Sequence, residues 1–247
     1  MTGEHLWPGW MHPYLPKIEN PKKRSVFASG TINTHYVTRS KPQPGHPYTR
    51  TFKVVCKKCN ESWMSEIEER AKPILLPIIL GQNVNIDEAR RRRLVDWITL
   101  KVLVADHDRK GPHVAHKNVL DAFRQSRRIP EDLRIWIAHH NAFEWAAGYW
   151  ARAVTVSAEP VLPITGLRKN IQTTAFGIGH LFSLTYLSAF PLIGIDVANE
   201  YVARLWPSDG ESIKWPCPLL PLVGINQLAN VIDGLESASF MEWKSPT

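Results

Sequence analysis

Two cysteines three positions apart, in Cys56-Lys-Lys-Cys59, have the spacing that points most directly to chemistry. A C-x-x-C pair holds two sulfurs on a tight knuckle and supplies half of a tetrahedral zinc site. The nearby histidines that could complete it are His12, His35 and His46, and none belongs to a second ligand pair. Cys217 is remote, between prolines in Trp215-Pro-Cys-Pro218. Half a knuckle is thus visible. A redox pair is less favoured, because no βαβ pattern of the thioredoxin kind surrounds it. Asn60 follows the second cysteine directly, and Glu4-His5, with Pro8 three residues on, lies some fifty residues upstream.

Glu4-His5-Leu-Trp-Pro8 and Cys56-Lys-Lys-Cys59-Asn60-Glu-Ser-Trp63-Met64 together resemble the HNH nuclease family, and within it an uncharacterised bacterial and phage branch. The resemblance covers about the first third of the chain. It implies a strand bearing the Glu-His segment and a knuckle leading into a helix that opens on His or Asn. It also implies roles: His5 as general base, Glu4 and Asn60 as ligands of one Mg²⁺ or Mn²⁺, and Cys56 and Cys59 in a structural Zn²⁺ site with an incomplete ligand set. Those residue types suit phosphodiester hydrolysis. A neutral imidazole can take a proton from water near pH 7, and carboxylate and amide oxygens are hard ligands for Mg²⁺. For the family's middle Asn, which orients the base, the sequence before the knuckle offers only His46, Thr49 or Thr51. The alternative is a catalytically weakened member of the same fold, binding nucleic acid or a phage or prophage partner.

Each of these residues also has a plainer reading. Asn60 is a good helix N-cap, Cys56 and Cys59 could be buried thiols under a turn, and His5 a terminal histidine without a role. The run Arg90–Arg93 is either a phosphate-contacting patch, with Arg90, Arg91 and Arg93 joined by Lys57 and Lys58 and extended by Arg124, Arg127 and Arg128, or a solvated helix face. Glu66, Glu68 and Glu69 read as a solvent face pairing with Arg70 and Lys72. His107, His113 and His116 match no standard ligand spacing.

The elements that must position these residues follow from patterning. Residues 1–24 read as loop with at most one short helical turn. Residues 26–38 and 48–56 read as strands separated by a turn at 40–47. A helix is expected from Asn60, burying Trp63, Met64, Ile67, Ala71 and Leu75, with Pro73 and Pro77 kinking or ending it. Asp87 is the expected N-cap of a helix over 88–106 that buries Leu94, Trp97, Ile98, Val102 and Ala105. A loop at 107–114 and a helix over 114–127 come next. Strands are expected over Leu133–Ala138, Tyr149–Ser157, Thr173–Ser188 in one or two pieces, and Tyr201–Trp206, and a last helix near Ile225–Leu235. Trp206-Pro207 and Trp215-Pro216 mark strand ends. The fold class is α+β, with an HNH-like ββα module over 1–80 and a mixed α+β accessory domain over 85–247, drawn at Gly81.

The 247 residues, 44% hydrophobic and 21% charged, have a globular composition. A net charge of +7 favours a polyanionic partner, and DNA is the expected one. Ten tryptophans are enough for both a core and an interface, and 85–247 could hold a protein-partner surface. Three cysteines and an N-terminus without a signal-peptide pattern lead to the expectation of a cytoplasmic protein. The longest apolar stretch, Phe176 to Ile195, is broken by glycines, His180 and Pro191, so it reads as buried strands and not a membrane span.

Overall fold

The computed structural model describes residues 2–15, 24–32, 35–43, 51–108, 114–115, 117–154, 170–189, 197, 200–229 and 231. For residues 24–32, 35–43 and 52–54, and for Thr2, Glu4, Asp108 and Val154, only the backbone is described. The architecture is mixed α+β, as expected. A five-stranded antiparallel sheet has the order β10(Val202–Trp206), β6(Leu133–His139), β9(Leu181–Ser188), β8(Ile171–Ile178), β7(Tyr149–Val154). The helices α2(Ser65–Ile79) and α3(Glu88–Ala105) cover one face, and α5(Leu222–Ala229) packs on the other against β8 and β9.

Every residue of β8 and β9 is buried. Phe176 and Ile178 join the cluster under α2 and α3, while Ala175, Phe182, Leu184 and Tyr186 join the cluster under α5. A sheet covered on both faces reads as a continuous apolar and small-polar run, which is why this segment shows no alternation. The expected 173–188 strand is two, joined by a tight turn at Gly179-His180. Gly179 has φ +54, and a Cβ there would lie 2.2 Å from the Ile79 carbonyl oxygen. That carbonyl, at the end of α2, accepts the His180 N–H at 3.0 Å, so the turn satisfies an acceptor the helix leaves open.

α2 runs through Pro73 and Pro77 without ending. Each proline costs a helix interior about 3 kcal/mol. Against that, Ile67, Ile74, Leu75, Ile78 and Ile79 are buried on one side, at roughly 1.5–3 kcal/mol each. Packing wins. Asp87 caps α3 as expected, its carboxylate accepting the Arg90 N–H at 2.8 Å. The five expected core positions of α3 are all buried, and the helix is enclosed on every side from Trp97 to Ala105. α4(Lys117–Ser126) matches the helix expected over 114–127, and β10 and β11(Ile213–Trp215) end on the two Trp-Pro pairs, both cis. Residues 230 and 232–235 of the expected last helix lie outside the described residues.

The N-terminal third differs more. Residues 2–5 form a strand, β1(Thr2–His5), followed by a 3₁₀ turn over Gly9–Tyr14. The expected 26–38 strand is a hairpin, β2(Arg24–Ile32) with β3(His35–Gln43), in register from Arg24 opposite Gln43 to Ile32 opposite His35. β3 takes in residues 40–43 of the expected 40–47 turn, whose residues 44–47 lie outside the described residues; a two-stranded sheet has only edges, where proline is tolerated. β4(Thr51–Val55) pairs with β1, and β5(Val84–Ile86) with β11. One buried cluster runs from Leu6 through Ile79 and Leu94 to Trp215, so residues on both sides of Gly81 share a core.

Candidate functional site

Leu6 and Trp7, directly after β1, anchor the strand. Both are fully buried, and the Trp7 ring meets Phe176 edge-on at 5.5 Å. The strand lies antiparallel to β4 with Glu4 opposite Phe52 and His5 opposite Thr51. Of the three residues considered for orienting His5, Thr51 is thus its cross-strand partner; His46 and Thr49 lie outside the described residues. The His5 side chain is exposed, and its ring stands 6.3 Å from that of His12. Its backbone carbonyl accepts the Lys101 ammonium at 3.0 Å. Lys101 itself is buried on α3 and paired with Glu68 of α2 at 2.6 Å. Glu68 is therefore an internal counter-ion and not part of a solvent face; Glu66 does pair with Arg70 as expected, at 2.8 Å, and Lys72 lies over the Trp10 ring.

β4 leads directly into the knuckle. Cys56, in extended conformation, caps α1(Lys57–Cys59), its sulfur accepting the Cys59 N–H at 3.2 Å. The helix thus opens at Lys57, one turn before Asn60, and the capping role foreseen for Asn60 belongs to Cys56. Asn60 is half-buried, helical, and donates its N–H to the Cys56 carbonyl at 3.1 Å. No hydrogen bond joins His5 to Asn60 among the described residues. A π turn over Asn60–Met64, with Ser62 at φ −115 and ψ −106, separates the knuckle from α2. Trp63 sits in that kink between the Phe123 ring, 6.1 Å away, and the Arg127 guanidinium, 4.6 Å over its face.

The two sulfurs share a hydrogen bond at 2.9 Å. That bond, the Cys59 N–H and the nearby Arg124 charge hold the Cys56 thiol below its usual range. Cys217 is the opposite case, its thiol pushed up to about 11 by burial. Sulfurs sharing one tetrahedral zinc at ~2.3 Å each would stand about 3.8 Å apart, so the pair is closer than shared coordination places it. Among the described residues no three His, Cys, Asp or Glu side chains form a metal-holding group. Of the histidines considered as further ligands, His35 has only its backbone described and His46 lies outside the described residues.

The basic run divides. Arg91 is 1% exposed and bonds to Ser208, Asp209 and the Glu211 carbonyl, which fixes α3 to the 208–211 loop and takes it off the surface. Arg90 reaches the Asn85 carbonyl at 2.7 Å and pairs with Asp87. Arg92 pairs with Asp96 at 3.0 Å and bonds the Arg127 carbonyl. Arg93 and Lys58 are exposed, and so is Lys57, 3.7 Å from Glu61. The Lys101–Glu68 pair is not anticipated by the sequence reading. Its signal is a lysine in the apolar run Ile98-Thr-Leu-Lys-Val-Leu-Val-Ala105, where a buried cation needs a partner. His113 and His116 lie outside the described residues.

No family model matches the chain, and no curated protein or solved structure matches it either. Among the described residues no helix is long and apolar enough to cross a membrane.

Proposed function

We propose that this protein is a metal-dependent endonuclease of the HNH kind that hydrolyses DNA phosphodiester bonds. One observation carries the reading: β1, which ends on Glu4-His5, pairs antiparallel with β4, and β4 runs through Cys56 into α1 and the helical turn that opens on Asn60. Strand, strand and helix in that order are what a ββα site needs to bring its base and its metal-binding oxygens from separate parts of the chain. In this reading His5 takes the proton from the attacking water. Thr51, across the strand pair, is the described candidate for orienting it, and the Lys101 ammonium fixes the strand end through the His5 carbonyl. Glu4 and Asn60 hold one Mg²⁺ or Mn²⁺. That ion, when bound, supplies positive charge for the phosphate and the leaving oxygen. The exposed Lys57, Lys58 and Arg93 supply phosphate contacts.

The test is plasmid nicking by the purified full chain with Mg²⁺, Mn²⁺ or EDTA, alongside His5→Ala. Metal-dependent nicking lost in the variant supports the reading. Salt-sensitive DNA binding without nicking would replace it with a binding module of the same frame, and absence of both would overturn it.

A further inference from the structure

We infer that Cys56 and Cys59 form a reversible dithiol–disulfide couple, open to exchange with a low-molecular-weight disulfide. The inference does not rest on the nuclease reading. The sulfurs are 2.9 Å apart, so closing the 2.05 Å bond needs a contraction of about 0.9 Å. Cys56 caps the turn that Cys59 closes, its sulfur already accepting the Cys59 N–H at 3.2 Å, so both sulfurs lie on the same side of that turn. The pair is also unequal: Cys56 is exposed and Cys59 half-buried, which assigns Cys56 to external attack and Cys59 to resolution. The kink at Ser62 separates this turn from α2, so the bond can close without moving the packed helix.

The exchange has two balanced steps. The Cys56 sulfur, as thiolate, attacks one sulfur of the external disulfide, forming a mixed disulfide and expelling one thiolate. Cys59, losing its proton, then attacks the Cys56 sulfur and expels the second. Two protein thiols are oxidised by two electrons, one external disulfide is reduced, and the two expelled thiolates take up the released protons.

The test equilibrates the metal-free full chain in buffers of oxidised and reduced glutathione, then counts thiols by alkylation and peptide mapping. The expected result is reversible loss of two alkylatable thiols, both in the peptide carrying Cys56 and Cys59, with Cys217 still alkylated after unfolding. Cys59→Ser should trap glutathione on Cys56, and Cys56→Ser should take up at least tenfold less. Three thiols persisting under oxidised glutathione would overturn the inference. So would one equivalent of zinc retained on purification and protecting the pair until a chelator removes it.

Discussion

The β1–β4 pair with its knuckle and the far end of the five-stranded sheet both gather groups that can carry protons, and treat them oppositely. At the first, His5 and Cys56 end or follow a strand with their side chains in solvent. At the second, His140 follows β6 and is fully buried, its carbonyl bonded to the His180 ring at 2.8 Å and its Nδ1 to the Ala142 N–H at 3.2 Å. Burial pushes the His140 imidazole down to about 4, and His139 is lowered by burial and by the neighbouring His180. The same residue type is thus left available in one place and made a neutral packing element in the other. Solvent access separates the two, and residue type does not.

The largest effect that would break this contrast is on activity. Under the proposed function His5→Ala should lower metal-dependent cleavage by about 10²–10⁴-fold while leaving the urea midpoint and DNA affinity nearly unchanged. A large loss of stability would make His5 a packing residue like His140. Next comes the buried pair behind the strand. Glu68→Gln leaves the Lys101 ammonium without its carboxylate at 2.6 Å and should cost about 3 kcal/mol in chemical denaturation. A cost near zero would mean that Lys101 needs no counter-ion.

The third effect is pH. The His140 imidazole titrates near 6.5 when unfolded and about 4 when folded, so between those values the unfolded chain binds the extra proton. The contribution is complete above pH 6.5 and is lost as pH falls toward 4. Between pH 7.5 and 4.5 it amounts to about 2–3 kcal/mol, and the stability profile of His140→Asn should be flatter by that amount. Parallel profiles would show that His140 is already solvated. The smallest effect is at Arg127, which stacks on Trp63 and has φ 57. Arg127→Ala should cost about 1 kcal/mol, and Arg127→Gly less, because glycine adopts that backbone freely.

What the sequence disclosed tracks how local each cause is. Asp87 was legible because a cap is decided within four residues, and β8 and β9 because burial on both faces leaves a long apolar run. β1 was legible only through the resemblance, which implied a strand bearing Glu4-His5: by pattern Thr2-Gly-Glu-His5 has no apolar alternation and read as loop, and it is a strand because Thr51–Val55 lies beside it, some fifty residues away. α2 looked interrupted because proline is a local signal, while the core that outweighs it comes from α3 and the sheet. Arg91 looked like surface because four arginines in a row do, and its partners arrive from residues 208–211. In the candidate site, residue types and spacing were readable in one dimension, but the support of His5 by Lys101 and the 2.9 Å approach of the two sulfurs were not.

The bond from the His180 amide to the Ile79 carbonyl also has a kinetic consequence. This amide belongs to a sheet turn, yet its acceptor is the last turn of a helix that starts beside the knuckle. Helix and hairpin cannot fray separately at that point without exposing it. Its hydrogen exchange should therefore be as slow as that of the central strands, reporting the rate at which the N-terminal helices and the sheet come apart as one cooperative unit.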